Sequence, residues 1–88
     1  MKGQGMSEFP YFNDEEVQEA RRYPVMVEWS DADQLFLART PDLEGLTVHG
    51  STPEEAVANA TEAALEWLHG MRAIGASIPT PTSLFAHH

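Results

Sequence analysis

GSTPEEAVANATEAALEWLHGMRAIG, residues 50–75, decides the fold. It reads as one long amphipathic helix with a well-marked start. Thr52 suits the N-cap, Pro53 the first helical position, and Glu55 closes a capping box with Thr52. Glu54 and Glu55 place negative charge where the helix dipole favours it. Gly50 reads as the turn residue at which a strand ends and this helix begins. At about 100° per residue, Ala56, Ala60, Ala63, Ala64, Trp67, Met71 and Ile74 share one side. Val57 and Leu68 flank that side, while Glu55, Glu62 and Glu66 lie roughly opposite. Leu65 falls near Thr61 and Arg72, off the apolar side, as a singly exposed leucine or, with Leu68, as an extension of a subunit contact. The small residues at the start allow close approach to a sheet, and Trp67 reads as core. Gly70 permits an early end, but a helix reaching Ile74 with Gly75 just beyond it is the preferred reading.

Working back from Gly50, the hydrophobic period changes to two. Tyr23, Val25, Val27 and Trp29 alternate with Pro24, Met26, Glu28 and Ser30 as in a half-buried strand. Ser30 to Gln34 is turn chemistry, and Leu35–Arg39 makes a second strand. Thr40-Pro41-Asp42-Leu43-Glu44-Gly45 is a longer connection, and Leu46–His49 a third strand. Further back, Asn13 and Glu16 form a second capping box, predicting a short helix over 13–22 with Arg21 and Arg22 in its last turn. Residues 1–11 read as a lead-in. Forward of Gly75, Ala76–Ile78 suits a short edge strand before Pro79 and Pro81 stop pairing, and 82–88 reads as a tail with no partner assigned.

These elements predict one α+β domain over residues 12–81. Its order is a short helix followed by β-β-β-α-β, with a mainly antiparallel sheet of three to four strands under one long helix. That helix covers a single sheet face. Met26, with either Phe36/Ala38 or Leu35/Leu37, is left on the other, to be covered by the first helix or by another subunit.

The chain has 88 residues, no cysteine, and 14 acidic against 5 basic side chains, for a net charge of −9. Disulfides and thiolate metal sites are excluded. Direct nucleic-acid binding is disfavoured, because phosphate neutralisation needs Lys and Arg. No apolar run reaches membrane-spanning length and the start lacks a secretory segment, so a cytoplasmic protein is expected. The charge suits a basic partner, although solubility alone also accounts for it.

Catalytic chemistry finds little support. Glu28, Asp31, Asp33, Asp42 and Glu44 are the carboxylates a two-metal nuclease would use, but most sit in turns, where solvated residues are the ordinary reading and Asp42 would cap its own turn. His49, His69, His87 and His88 include no helical metal pair, His49 reads as solvent-facing, and no cofactor motif is present. Trp29 reads first as core, with an interface anchor beside Asp31 and Asp33 as the alternative.

The order of residues is more informative than their types. Pro41-Asp42-Leu43 with Gly45 is followed by Gly50-Ser51-Thr52, then by Glu54, Glu55, Ala56, Asn59, Ala60, Ala63 and Ala64, then by Gly75 and Ile78-Pro79 with Pro81. From Tyr23 to Pro81 this resembles the HicB family of bacterial antitoxins. Its pattern is approximately P-D-L-P-G-C, then G-D-T-x-E-E-A. Glu44, Leu46 and Ser51 depart from it, at a turn and a core position. Many such antitoxins continue into a helix-turn-helix or ribbon-helix-helix module. This sequence stops at His88, seven residues after Pro81, so no DNA-binding module of its own is expected.

The resemblance implies a partial ribonuclease-H-like fold, self-association as a dimer or tetramer, and no catalysis. It also implies binding of a small basic HicA-type toxin, an mRNA-cleaving protein with a double-stranded-RNA-binding-like fold, whose cationic surface and catalytic histidine the antitoxin's carboxylates would cover. Trp29, Asp31, Asp33, Asp42 and Glu44 are the candidate contacts. Pro41, Asp42, Gly45, Gly50, Thr52, Glu55, Ala56, Ala60, Trp67 and Gly75 are the candidate structural positions. Two rivals remain: a self-associating module without a toxin, and a degenerate metal-dependent nuclease.

Overall fold

The chain runs through α1 (Asp14–Ala20), β1 (Met26–Ser30), β2 (Leu35–Thr40), a 3-10 turn (Pro41–Leu43), β3 (Leu46–Gly50) and α2 (Pro53–Ala73). This computed structural model describes residues 9–83, so positions 1–8 of the expected lead-in and 84–88 of the expected tail lie outside the described residues. The architecture is α+β. A three-stranded antiparallel sheet has strand order β1-β2-β3, and α2 crosses one of its faces.

Both helix starts follow from local side-chain chemistry. Asn13 Oδ1 accepts from the Glu16 N–H and Glu16 Oε1 from the Asn13 N–H, each at 2.8 Å, so both arms of the first capping box are made. In α2, Thr52 Oγ1 accepts from the Glu55 N–H at 3.0 Å, but the Glu55 carboxylate accepts from Ser51 N–H, one residue earlier than the predicted box. The α2 end is as expected: Ile74 is the cap residue and Gly75 follows at φ 73°. The Gly75 N–H donates to the Arg72 carbonyl and the Ala76 N–H to that of Met71, the bond pair of a Schellman motif.

Helix α1 stops at Ala20, short of the predicted Arg22, with Arg21 as its cap residue. Neither arginine therefore lies in the last turn. Pro24 disfavours helical backbone at Tyr23, and the chain turns there to bury the Tyr23 ring. This also delays β1, which begins at Met26.

The buried side of α2 is rotated from the predicted one. Ala56, Ala60, Thr61, Ala64, Leu65 and Leu68 are buried, whereas Ile74 is 76% exposed and Val57 lies in water. Leu65, read as exposed, is only 2% exposed. The cause is that two elements cover α2. Ala56 and Ala60 pack with Ala38 under the sheet, beside Val25, Phe36 and Val48. Ala64, Leu65 and Leu68 join Val17, Ala20, Tyr23, Leu43 and Phe9 in a second cluster, with Trp67 and Ile78 against it. Phe9, from the stretch read as lead-in, is thus part of the core. Thr61 is buried at no polar cost because its hydroxyl donates to the Val57 carbonyl at 3.1 Å.

Ala76–Ile78 forms no strand. Left-handed backbone at Gly75 turns the chain away, and side chains tie down the segment beyond it. Tyr23 Oη donates to the Pro79 carbonyl at 2.6 Å. Thr82 donates through its N–H (2.7 Å) and Oγ1 (2.9 Å) to the two Asp42 carboxylate oxygens.

Two pairs of measurements test this packing. A Cβ on Gly50 would lie 2.4 Å from the Ala56 backbone nitrogen, whereas one on Gly70 meets nothing within 4 Å. Gly50→Ala is therefore expected to lose about 3 kcal/mol by denaturant unfolding, and Gly70→Ala to gain about 0.5–1 kcal/mol; the same sign for both would contradict the seam. Burial, then the nearby Glu19 carboxylate, raises the Tyr23 phenol above its ordinary value. The unfolded chain then gives up this proton more readily, so stability is full below about pH 10 and falls as pH rises through the folded value. Alkaline unfolding titrations are expected to show this loss in the wild type and a flatter profile in Tyr23→Phe.

Candidate partner-binding surface

Three surfaces are left open around the sheet. The first is the tip of the β1–β2 hairpin. Pairing of Ser30 with Leu35 leaves Asp31–Gln34 as the loop. The Gln34 N–H donates to the Ser30 carbonyl at 2.8 Å, with Gln34 in left-handed backbone at φ 57°. Ser30 Oγ accepts from the Asp33 N–H at 3.2 Å and donates to Asp33 Oδ2 at 3.1 Å. Trp29 Nε1 donates to Asp31 Oδ1 at 2.8 Å, and the indole meets the Phe36 ring edge-on at 5.0 Å. Trp29 is not core: it is 46% exposed. It pairs with Phe36 on the helix-covered face, but β1 is an outer strand, and α2 packs mainly against β3 and β2. An aromatic plate with one carboxylate on its indole N–H results, and a second carboxylate, Asp33, sits in the same loop.

Asp42 and Glu44 are not part of that tip. They follow β2, six residues long, at its far end, which at about 3.3 Å per residue puts them roughly 20 Å away. Asp42 does not cap its own turn; its carboxylate is taken by Thr82. Glu44 is exposed at φ 60°, followed by Gly45 at φ 70°. The five predicted contacts thus fall into two groups.

The second surface is the sheet face that α2 leaves bare. Register places Met26, Glu28, Leu35, Leu37, Arg39 and His49 there, so Leu35/Leu37 is the set left open. Met26 is 55% exposed. Helix α1 packs with α2 and does not reach this face.

The third surface was not read from the sequence. Asn59, Glu62, Ala63 and Glu66, one side of α2, stand beside Thr47, Val48 and His49 of the outer strand β3 around a groove of about 450 Å³. Asn59 Nδ2 donates to the His49 carbonyl at 2.7 Å. The i, i+3, i+4, i+7 spacing of these four α2 residues was visible, but it reads as an ordinary solvent face until β3 is known to be an edge.

His49 is exposed, as expected, while His69 meets the Phe12 ring edge-on at 6.3 Å. Among the described residues no three His, Cys, Asp or Glu side chains converge as a metal site. The carboxylates of the nuclease reading are divided between the sheet face, the hairpin tip and the far turn. No helix among the described residues is long and apolar enough to cross a membrane.

The family description "HicB-like antitoxin of bacterial toxin-antitoxin system" matches residues 23–88. The chain belongs to this antitoxin family. No curated protein and no solved structure matches it. In this HicB-like antitoxin the matched span takes in the sheet, α2 and the C-terminal segment, and α1 precedes it. The pattern residues inside the span have physical tasks. Pro41 opens the 3-10 turn, Gly45 and Gly75 adopt positive φ, and Gly50 admits the helix backbone. Thr52 and Glu55 bond the start of α2, Ala56 and Ala60 let it lie close, and Trp67 half-covers the second cluster. Membership supports an antitoxin role in a toxin–antitoxin system.

Proposed function

We propose that this chain neutralises a small basic, mRNA-cleaving toxin of the HicA type by binding it in the cytoplasm and covering its cationic RNA-binding surface. Family membership over residues 23–88 is the observation on which this rests, and a net charge of −9 supports it. Neutralisation by docking needs no chemistry in the antitoxin. It needs exposed acceptors and an anchor, and the hairpin tip offers Asp31, Asp33 and Trp29 in one place. Tryptophan is enriched among residues that dominate binding energy, and carboxylates around it favour a basic partner and speed its approach. Asp42 acts chiefly through the C-terminal segment in this reading, and Glu44 at most contacts the rim. The acidic balance disfavours direct contact with nucleic acid.

The open sheet face supports self-association in addition. Met26, Leu35 and Leu37 are apolar, and Glu28 and Arg39 make the face nearly neutral. Two strongly acidic chains meet there with less repulsion than elsewhere.

Association with a small basic HicA-type toxin is expected to slow about tenfold between roughly 0.05 and 0.5 M salt. Trp29→Ala is expected to weaken the complex by at least about tenfold. A complex that does not form, or an on-rate indifferent to salt, would remove the docking account. For the sheet face, sedimentation of the purified chain is expected to show an oligomer that Leu37→Glu converts to monomer; a wild-type monomer at all concentrations would remove self-association.

A further inference from the structure

Deepening the antitoxin reading, we infer that the outer edge of β3 and the overhanging side of α2 receive a basic extended segment of the partner, which joins the sheet as a fourth strand. The inference rests on that reading for the partner's identity only; the receptor itself is argued from this chain.

β3 is an outer strand, bonded to β2 on one side and, among the described residues, to no strand on the other. In an antiparallel strand the N–H and C=O of one residue point to the same side, and the side alternates along the chain. The Asn59 amide reaches the His49 carbonyl from α2, which fixes His49 as an outward-facing residue. Thr47 is then outward as well, whereas Leu46, Val48 and Gly50 face β2. The Thr47 N–H and C=O and the His49 N–H therefore offer ladder bonds to an added strand.

Charge selects the occupant. Glu62 and Glu66, both exposed, line the groove one helical turn apart, within reach of side chains on an added strand, where Lys or Arg would complement them. A second copy of this chain pairing through its own β3 would bring its Glu62 and Glu66 against these two, which disfavours it. A phosphate backbone is disfavoured by the same carboxylates. Helix α2 packs mainly against β3 and β2 and only slightly against β1, and Glu28 points to the open sheet face. The β3 edge is thus the one of the two outer edges that combines free backbone with a row of carboxylates.

The test is an NMR titration of the isotope-labelled full chain with a blocked octapeptide of alternating Lys and Val. Expected are shifts at the Thr47, Val48 and His49 amides and at the Asn59 side-chain amide. Affinity should fall by at least about tenfold in Glu62→Lys/Glu66→Lys and in Thr47→Pro. Both variants should fold: the glutamates are exposed, and the Thr47 N–H makes no sheet bond, so proline suits this edge position. Circular dichroism checks each. The edge receptor is overturned by no binding at millimolar peptide, by equal binding of a Glu-Val octapeptide, or by shifts confined to other surfaces. In the complex with the toxin, slowed hydrogen exchange at Thr47 and His49 is expected. Protection at the hairpin tip alone would overturn the edge receptor and leave the antitoxin reading standing. A toxin that fails to bind while the Lys-Val peptide binds would do the reverse.

Discussion

The contact between the end of β3 and the first turn of α2 sets the geometry of the rest. Gly50 sits so close to the Ala56 backbone that no side chain fits between them. A strand therefore passes into a helix across two residues, Ser51 and Thr52, and the helix is laid directly on the sheet it has just left. Close approach at this end requires small residues, and Ala56, Ala60 and Ala38 supply them. Further along, α2 meets α1 and the segments around it, and there Leu65, Leu68, Leu43 and the Tyr23 ring pack together. Two neighbouring packing environments thus explain why alanines crowd one half of α2 and large side chains the other.

The second cluster needs covering, and local segments of modest length cover it. α1 has only seven residues, too few for an isolated helix to persist in water. Val17 and Ala20 hold it against α2, and an ion pair between Glu19 and Arg72 adds a surface contact of small energetic weight. The segment after Gly75 is tied by Tyr23 and Asp42 and contributes Ile78. Tyr23 is central here: its ring is buried in the cluster and its hydroxyl bonds the strap. The family match begins at this residue, although α1 just before it is packed into the same core.

The strands, the hairpin, both helix starts and the Schellman end were legible because each depends on residues close in sequence. The period of two around Val27 and the capping chemistry of Asn13 and Thr52 are local signals. What was not legible depends on two elements meeting. Leu65 looks exposed on a helix assumed to touch only a sheet, and is buried because α1 takes a second side of α2. Trp29 looks like core on the strand's alternation, and is half exposed because its strand is an outer one. Asp42 looks like a turn cap, and holds Thr82, forty positions away. Ala76–Ile78 has strand-like composition, but Gly75 and the Tyr23 and Asp42 bonds take it elsewhere. The β3 groove required both the strand order and the rotation of α2, neither of which a helical wheel supplies.

The same geometry decides where a strongly acidic small domain can associate. With a net charge of −9, most of its surface would repel its own copies, so the proposed self-contact needs a nearly neutral region, and the open sheet face is one. A basic partner meets the opposite condition and is drawn to carboxylates held beside apolar or backbone anchors. The hairpin tip offers the indole of Trp29 with Asp31; the β3 edge offers unpaired backbone with Glu62 and Glu66. Gly50, Trp29 and the hairpin lie toward one end of the sheet, so a partner at the tip is also near the His49 end of the edge. A compact toxin bound as proposed could then make a side-chain contact at the tip and a main-chain contact along β3. The two proposed contacts would meet at one place, because Thr47 and His49 lie on the open sheet face beside Arg39 and Leu37, so a strand added at β3 would border the self-association surface.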